Sequence, residues 1–132
     1  MRLIPGVDPE LLHPALLLAL VIGDECYKSV GSELIVTHLR EGKHSATSLH
    51  YRGRAADCRT KHLDKTLVPR VLALWKDKLA DGGKLYDLLW EDAGTENQHL
   101  HIEYDPKIEP APQEPTNGPK PTVTTKLVRP TR

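Results

Sequence analysis

Four residues in two short segments have the types and spacing of a metal site. The first segment, Ser48 to Asp57, reads SLHYRGRAAD and sets His50 and Asp57 seven positions apart. The second, QHLHIE, sets His99 and His101 two positions apart. Imidazole nitrogen and carboxylate oxygen are donors that zinc takes in catalytic sites, where three protein ligands leave one position for water. Two neutral imidazoles and one carboxylate leave the ion a net positive charge. Its water then loses a proton near neutral pH and can attack a carbonyl. Four thiolates would quench that acidity. The two cysteines, Cys26 and Cys58, cannot build such a set and are expected to be reduced, buried thiols.

These side chains meet only if the elements carrying them turn correctly. Residues seven apart on one continuous strand point to opposite faces, so the first segment must bend. Gly53 supplies the place. His50 then sits in a loop and Asp57 in a strand read from GRAADCRT, with Ala55 and Ala56 leaving room around the carboxylate. HLHIEYD alternates with period two, which predicts a strand with both imidazoles on one face, about 6.6 Å apart at the backbone. One ring can ligate while the other stands beside the ion and handles protons. Glu103 falls in the same phase, where it could orient an imidazole; it is expected to lie exposed. SELIVTHL predicts a strand over Glu33 to Leu39, and KLYDLLWE predicts another.

Two helices complete the pattern. VDPELLHPALLLALVIGDECYKSVG offers Asp8 as N-cap, Pro9 at the first helical position and Gly31 at the exit. LDKTLVPRVLALWKDKLADGG repeats Leu67, Val71, Leu74 and Leu79 near helical spacing, with Pro69 in its first turn and Gly82-Gly83 at its end. The order helix, strand, strand, helix, strand, strand predicts an α+β domain. Its small antiparallel sheet packs against the two main helices and keeps one face open to a site.

The 132 residues suffice for one domain. Phenylalanine is absent and the formal net charge is zero, so nothing in the composition points to nucleic acid or an anionic membrane as partner. The apolar run Leu11 to Ile22 is shorter than the roughly 20 residues that cross a bilayer. Acidic Asp8 and Glu10 precede it and no small-residue cleavage site follows, so it is read as a buried helix. Synthesis in the cytoplasm without a signal peptide is expected. A monomer is expected as well. From Pro106 the character changes, with seven prolines in the last 27 residues. A domain over 1–105 is therefore expected to end in a disordered or extended tail over 106–132.

SLHYRGRAAD followed downstream by HLH resembles the zinc D,D-carboxypeptidase and L-alanyl-D-glutamate peptidase family of bacteria and phages. Its pattern is Ser-x-His-x-x-Gly-x-Ala-x-Asp with a late His, and Ser48, His50, Gly53, Ala55 and Asp57 match. The fragment also resembles the zinc-bearing signalling domain of hedgehog proteins, a relative in the same clan. The likeness runs from about Glu33 to Asp105, and YDLLWE and HIEYDP look like small phage-encoded members. The resemblance implies zinc held by His50, Asp57 and His101. It also implies His99 beside the metal assisting proton transfer, Glu91 as general base, Arg40 stabilising an oxyanion and Ser48 holding the substrate carboxylate. The implied substrate is a peptidoglycan stem peptide, reached at the cell wall after release.

One position departs from the pattern. Many members carry an acidic residue three positions before the last zinc histidine, where this chain has Gln98, which cannot act as a base; Glu96 is the nearby alternative. A zinc module that binds a partner without hydrolysis is the rival reading. A cupin-type oxygenase would need a further histidine downstream, and none follows His101. His13, His38, His44 and His62 have no matching spacing and are read as ordinary.

Overall fold

A computed structural model describes residues 1–39 and 53–107. In chain order the elements are β1 (Arg2–Leu3), α1 (Pro14–Lys28), β2 (Ile35–His38), β3 (Ala55–Arg59), α2 (Val68–Leu79), β4 (Tyr86–Glu91) and β5 (His99–Tyr104). The strands form one sheet in the order β1-β2-β3-β5-β4. The α+β class is as expected, but the sheet is mixed, because β1 pairs parallel with β2 while all other neighbours are antiparallel. Two residues are too short to show any alternation in the sequence. The strand exists through tertiary pairing: the Arg2 and Ile4 amides donate to the carbonyls of Leu34 and Val36.

Alternation sorts the strands into two faces. Val36, Ala56, Cys58, Leu88, Leu100 and Ile102 are buried against Leu16, Leu20 and Tyr27 of α1 and Val68, Val71 and Trp75 of α2. Each large side chain removed from water in this layer contributes about 1.5–3 kcal/mol. The helices meet at Gly23, where an added Cβ would overlap the Trp75 ring. The Trp75 indole Nε1 donates to the Ala19 carbonyl at 3.0 Å, so the close approach leaves no polar atom unpaired there. Cys26 and Cys58 are free and buried, and burial pushes both thiols up from their ordinary pKa.

The first helix begins later than its sequence suggests. His13 is the N-cap, its Nδ1 accepting from the Ala15 amide at 3.0 Å, and Pro14 opens the helix. Asp8 instead accepts from the Glu10 amide at 2.9 Å, and Leu11 takes the left-handed region at φ 65°. A helix starting at Pro9 would have placed the Pro14 ring against the carbonyl four residues back. Nor is α1 buried all round, since Leu17, Leu18 and Val21 are exposed. Pro69 does fall in the first turn of α2. No helix among the described residues is long and apolar enough to cross a membrane. Backbone pairing continues to Lys107, whose amide donates to the Lys84 carbonyl; the proline-rich segment from 108 onward lies outside the described residues.

Candidate metal centre

The sheet face turned away from the helices carries the chemistry. Antiparallel register sets Asp57 beside His101 and Arg59 beside His99 between β3 and β5, and Glu91 beside His99 between β4 and β5. One row across the sheet therefore reads Leu89, His101, Asp57, and the next reads Glu91, His99, Arg59. The row on the other side is Asp87, Glu103, Ala55. Strand spacing is about 4.8 Å and row spacing about 6.6 Å, close enough for side chains of adjacent rows to share an ion.

Each imidazole faces an oxygen at both nitrogens. His101 Nδ1 is 2.8 Å from Asp57 Oδ1, and its Nε2 is 2.8 Å from Glu103 Oε1. His99 Nδ1 is 2.7 Å from the Asn97 carbonyl; its Nε2 is 2.9 Å from Glu91 Oε1 and 3.7 Å from Asp57 Oδ1. A carbonyl or carboxylate oxygen only accepts, so each ring is asked for two protons. Burial opposes that second charge on His101, but Asp57 and Glu103 outweigh it and push its pKa up to about 9. Burial opposes it on His99 too, yet the Asn97 carbonyl, Asp57 and Glu91 raise its pKa.

One divalent cation can replace the two extra protons. It would take the lone pairs of His101 Nδ1 and His99 Nε2 with the facing carboxylate oxygens. One donor atom from each of Asp57, Glu91, His99 and His101 lies within 4.8 Å of every other, so the group could hold a metal ion. Glu103 and the Asn97 carbonyl keep the remaining N–H protons and thereby set both tautomers. Glu103 is thus not a bystander. The expectation that it lies exposed is corrected: its side chain is 22% exposed and bonded to His101.

Of the residues selected from the sequence, Asp57, Glu91, His99 and His101 come together here. Arg40, Ser48 and His50 lie outside the described residues. Gly53 enters β3 at φ 70°, with its carbonyl accepting from His13; a Cβ there would collide with the Leu11 carbonyl. Gln98 spends its side-chain oxygen on the Gly94 amide at 2.9 Å, bracing the turn between β4 and β5. Glu96 stands outside the donor cluster, on the wall of a groove of about 580 Å³ that also takes in Asp57, Arg59, Lys61 and His99. Tyr104 packs on His13 and Tyr86.

His38 also lines that groove, with Nδ1 3.8 Å from Asp57 Oδ2. Sequence reasoning set it aside. In an unbroken strand His38 would share the core-facing side of Val36. A bulge between the two shifts the register so that His38 pairs with Asp57, and no sequence signal marks that bulge.

No family model, no curated protein and no solved structure matches this chain.

Proposed function

We propose that the protein is a zinc-dependent peptidase that hydrolyses peptide bonds in peptidoglycan stem peptides, of the D,D-carboxypeptidase or L-alanyl-D-glutamate endopeptidase type. The observation that carries this reading is that donor atoms of Asp57, Glu91, His99 and His101 all lie within 4.8 Å of one another, with Asp57 and His99 also lining a groove. Mixed imidazole and carboxylate donors suit zinc in hydrolytic sites. The substrate class rests on the motif Ser48, His50, Gly53, Ala55, Asp57 with its late histidine.

Zinc bound there would supply a Lewis acid and a water of lowered pKa. In this reading Asp57 and His101 hold the ion together with His50, while Glu91 and His99, which could otherwise ligate, are left free for proton transfer. Glu91 accepts the proton of the attacking water and returns it to the leaving amine. His99 keeps Nε2 turned to that carboxylate because its Nδ1–H is held by the Asn97 carbonyl. His99, protonated at both nitrogens in this reading, and Arg40 stabilise the developing oxyanion, and Ser48 holds the substrate carboxylate.

The second reading is a zinc module that binds a peptide or protein without turnover. Gln98 favours it, since the position of the family's acid is filled by an amide already committed to Gly94. Zinc-reconstituted protein incubated with purified stem peptides, with products read by mass spectrometry, separates the two. Cleavage at one bond is expected, lost in Asp57→Ala and His101→Ala, and slowed by about 10²–10⁴ in Glu91→Gln with zinc content retained. Zinc bound without any cleavage leaves only the binding module; protein that takes up no zinc overturns both.

A further inference from the structure

The edge of the sheet at β4 is open. β4 is the last strand, and β5 is its one neighbour among the described residues. The Tyr104 amide donates to the Arg54 carbonyl on the β3 side, and the Asp105 amide to the Leu85 carbonyl on the β4 side. Backbone groups alternate along an antiparallel ladder. Asp87, Leu89 and Glu91 therefore turn theirs to β5, while Tyr86, Leu88 and Trp90 turn theirs outward. Asp81 takes the outward amide of Tyr86 at 2.7 Å. Among the described residues nothing meets the outward amides and carbonyls of Leu88 and Trp90. A groove of about 380 Å³ lies at this edge, walled by Lys76 and Leu79 of α2 and by Tyr86 to Leu89 of β4. Leu89 is 48% exposed. An unpaired strand edge with apolar side chains beside it is a template for one more strand.

The chain itself supplies a segment that fits. Its described part ends at Lys107, which is held at the start of β4: its amide donates to the Lys84 carbonyl and its Nζ meets Asp87 Oδ1 at 2.6 Å. Residues 108–121 follow, with five prolines, and then Thr122 to Val128 reads TVTTKLV. These residues are mostly β-branched and suit a strand. At roughly 3.1 Å per residue the proline-rich connection reaches about 40 Å, whereas β4 spans only about 20 Å. The connection is thus long enough to pass the far end of β4 and let the segment return antiparallel to it. Alternation then sets Val123, Thr125 and Leu127 on the helix side with Leu88 and Trp90, and Thr124 and Lys126 on the side of Asp87 and Leu89. The charges are complementary. Between Lys120 and Arg132 there are four cationic side chains and no carboxylate one. Asp81 and Asp87 line the groove with Lys76, and Glu91 ends the strand. The short tether raises the local concentration of the segment over that of any separate chain.

We infer that residues 122–128 add to β4 of their own chain as a further antiparallel strand, closing the edge at Leu88 and Trp90. The pairing keeps the strand that carries Glu91 from edge-to-edge association with other chains. It holds whether or not the metal cluster hydrolyses a peptide.

The test is amide hydrogen exchange on the full chain, read residue by residue by NMR. Leu88 and Trp90 are expected to exchange slowly in the wild type. Thr125→Pro with Leu127→Asp removes a backbone donor and an apolar contact, and should speed exchange at both by about tenfold or more. Asp87, Leu89 and Glu91 should keep their protection through β5, which makes them the control for folding. Fast exchange at Leu88 and Trp90 in the wild type, or slow exchange that the double substitution leaves unchanged, overturns the inference. Protection that fades on dilution assigns the added strand to a second copy of the chain and overturns it as well; protection independent of concentration supports it.

Discussion

His101 meets a carboxylate at each ring nitrogen, and the two contacts cannot do the same work. Once Nδ1 gives its lone pair to a metal, Nε2–H is the only proton left, and Glu103 receives it at 2.8 Å. The negative oxygen makes the ring a better donor to the metal and fixes its plane. Glu103→Gln retains the shape and removes the charge. Zinc affinity in that variant, measured by competition with a chromophoric chelator, is expected to fall about 10–100-fold, with the far-ultraviolet dichroism unchanged. Unchanged affinity would show that His101 does not ligate through Nδ1. At this scale the sequence is legible wherever alternation is regular: His99, His101 and Glu103 share a face because they lie two apart. Whether Glu103 is exposed or bonded depends on how the His101 ring turns, which Asp57 decides from another strand. His38 was hidden for the same kind of reason, since its facing depends on a bulge formed only against β3.

The strand that carries Glu91 starts at one carboxylate outside the site. Asp81, after α2, accepts from the Gly83 amide at 3.1 Å, from Leu85 at 2.9 Å and from Tyr86 at 2.7 Å, and so sets where β4 starts. Burial disfavours its charge, but these backbone donors hold its pKa below the ordinary carboxylate value of 3.8. A folded pKa below the unfolded one means a stabilising contribution that is complete above the unfolded value. It is lost as pH falls through the folded value. Asp81→Ala leaves three amides without this partner and is expected to cost about 1–3 kcal/mol at pH 7 by urea denaturation. The gap to wild type should narrow below pH 4, where the wild-type carboxylate also protonates. A gap independent of pH would mean that the aspartate acts through packing alone. The helices themselves were readable where proline limits them, as at Pro69. The start of α1 was not, because Asp8-Pro9 and His13-Pro14 both look like helix openings. Tertiary contact decides between them: the His13 ring lies 4.8 Å from Tyr104 while its Nδ1 caps the helix.

Across the whole molecule the donor cluster exists only when three strands are in register. His101 and Asp57 are 44 residues apart in sequence, and His99 and Glu91 are eight apart. An unfolded chain cannot hold them together, so a metal that binds this cluster must stabilise the fold by linkage. A free concentration of 100 times Kd adds about 2.7 kcal/mol. At roughly 2–8 °C per kcal/mol for domains of about this size, Tm should rise on the order of 10 °C on adding zinc and fall back with a chelator. The pH dependence has a definite sign. In the metal-free protein the pKa of His101 is raised from 6.5 to about 9, so its stabilising contribution is complete below 6.5 and is lost as pH rises through 9. In the metal-bound protein Nδ1 carries no proton, and competition by protons fades over the same window. The difference in Tm with and without zinc should therefore widen from pH 6.5 to pH 8.5, by calorimetry at one zinc concentration. Asp57→Asn should remove the difference at every pH while the domain still unfolds cooperatively. A wild-type Tm that zinc leaves unmoved at pH 8.5 would mean that the four side chains are a network of imidazolium–carboxylate bonds rather than a metal centre, and the proposed hydrolysis would have no place to occur.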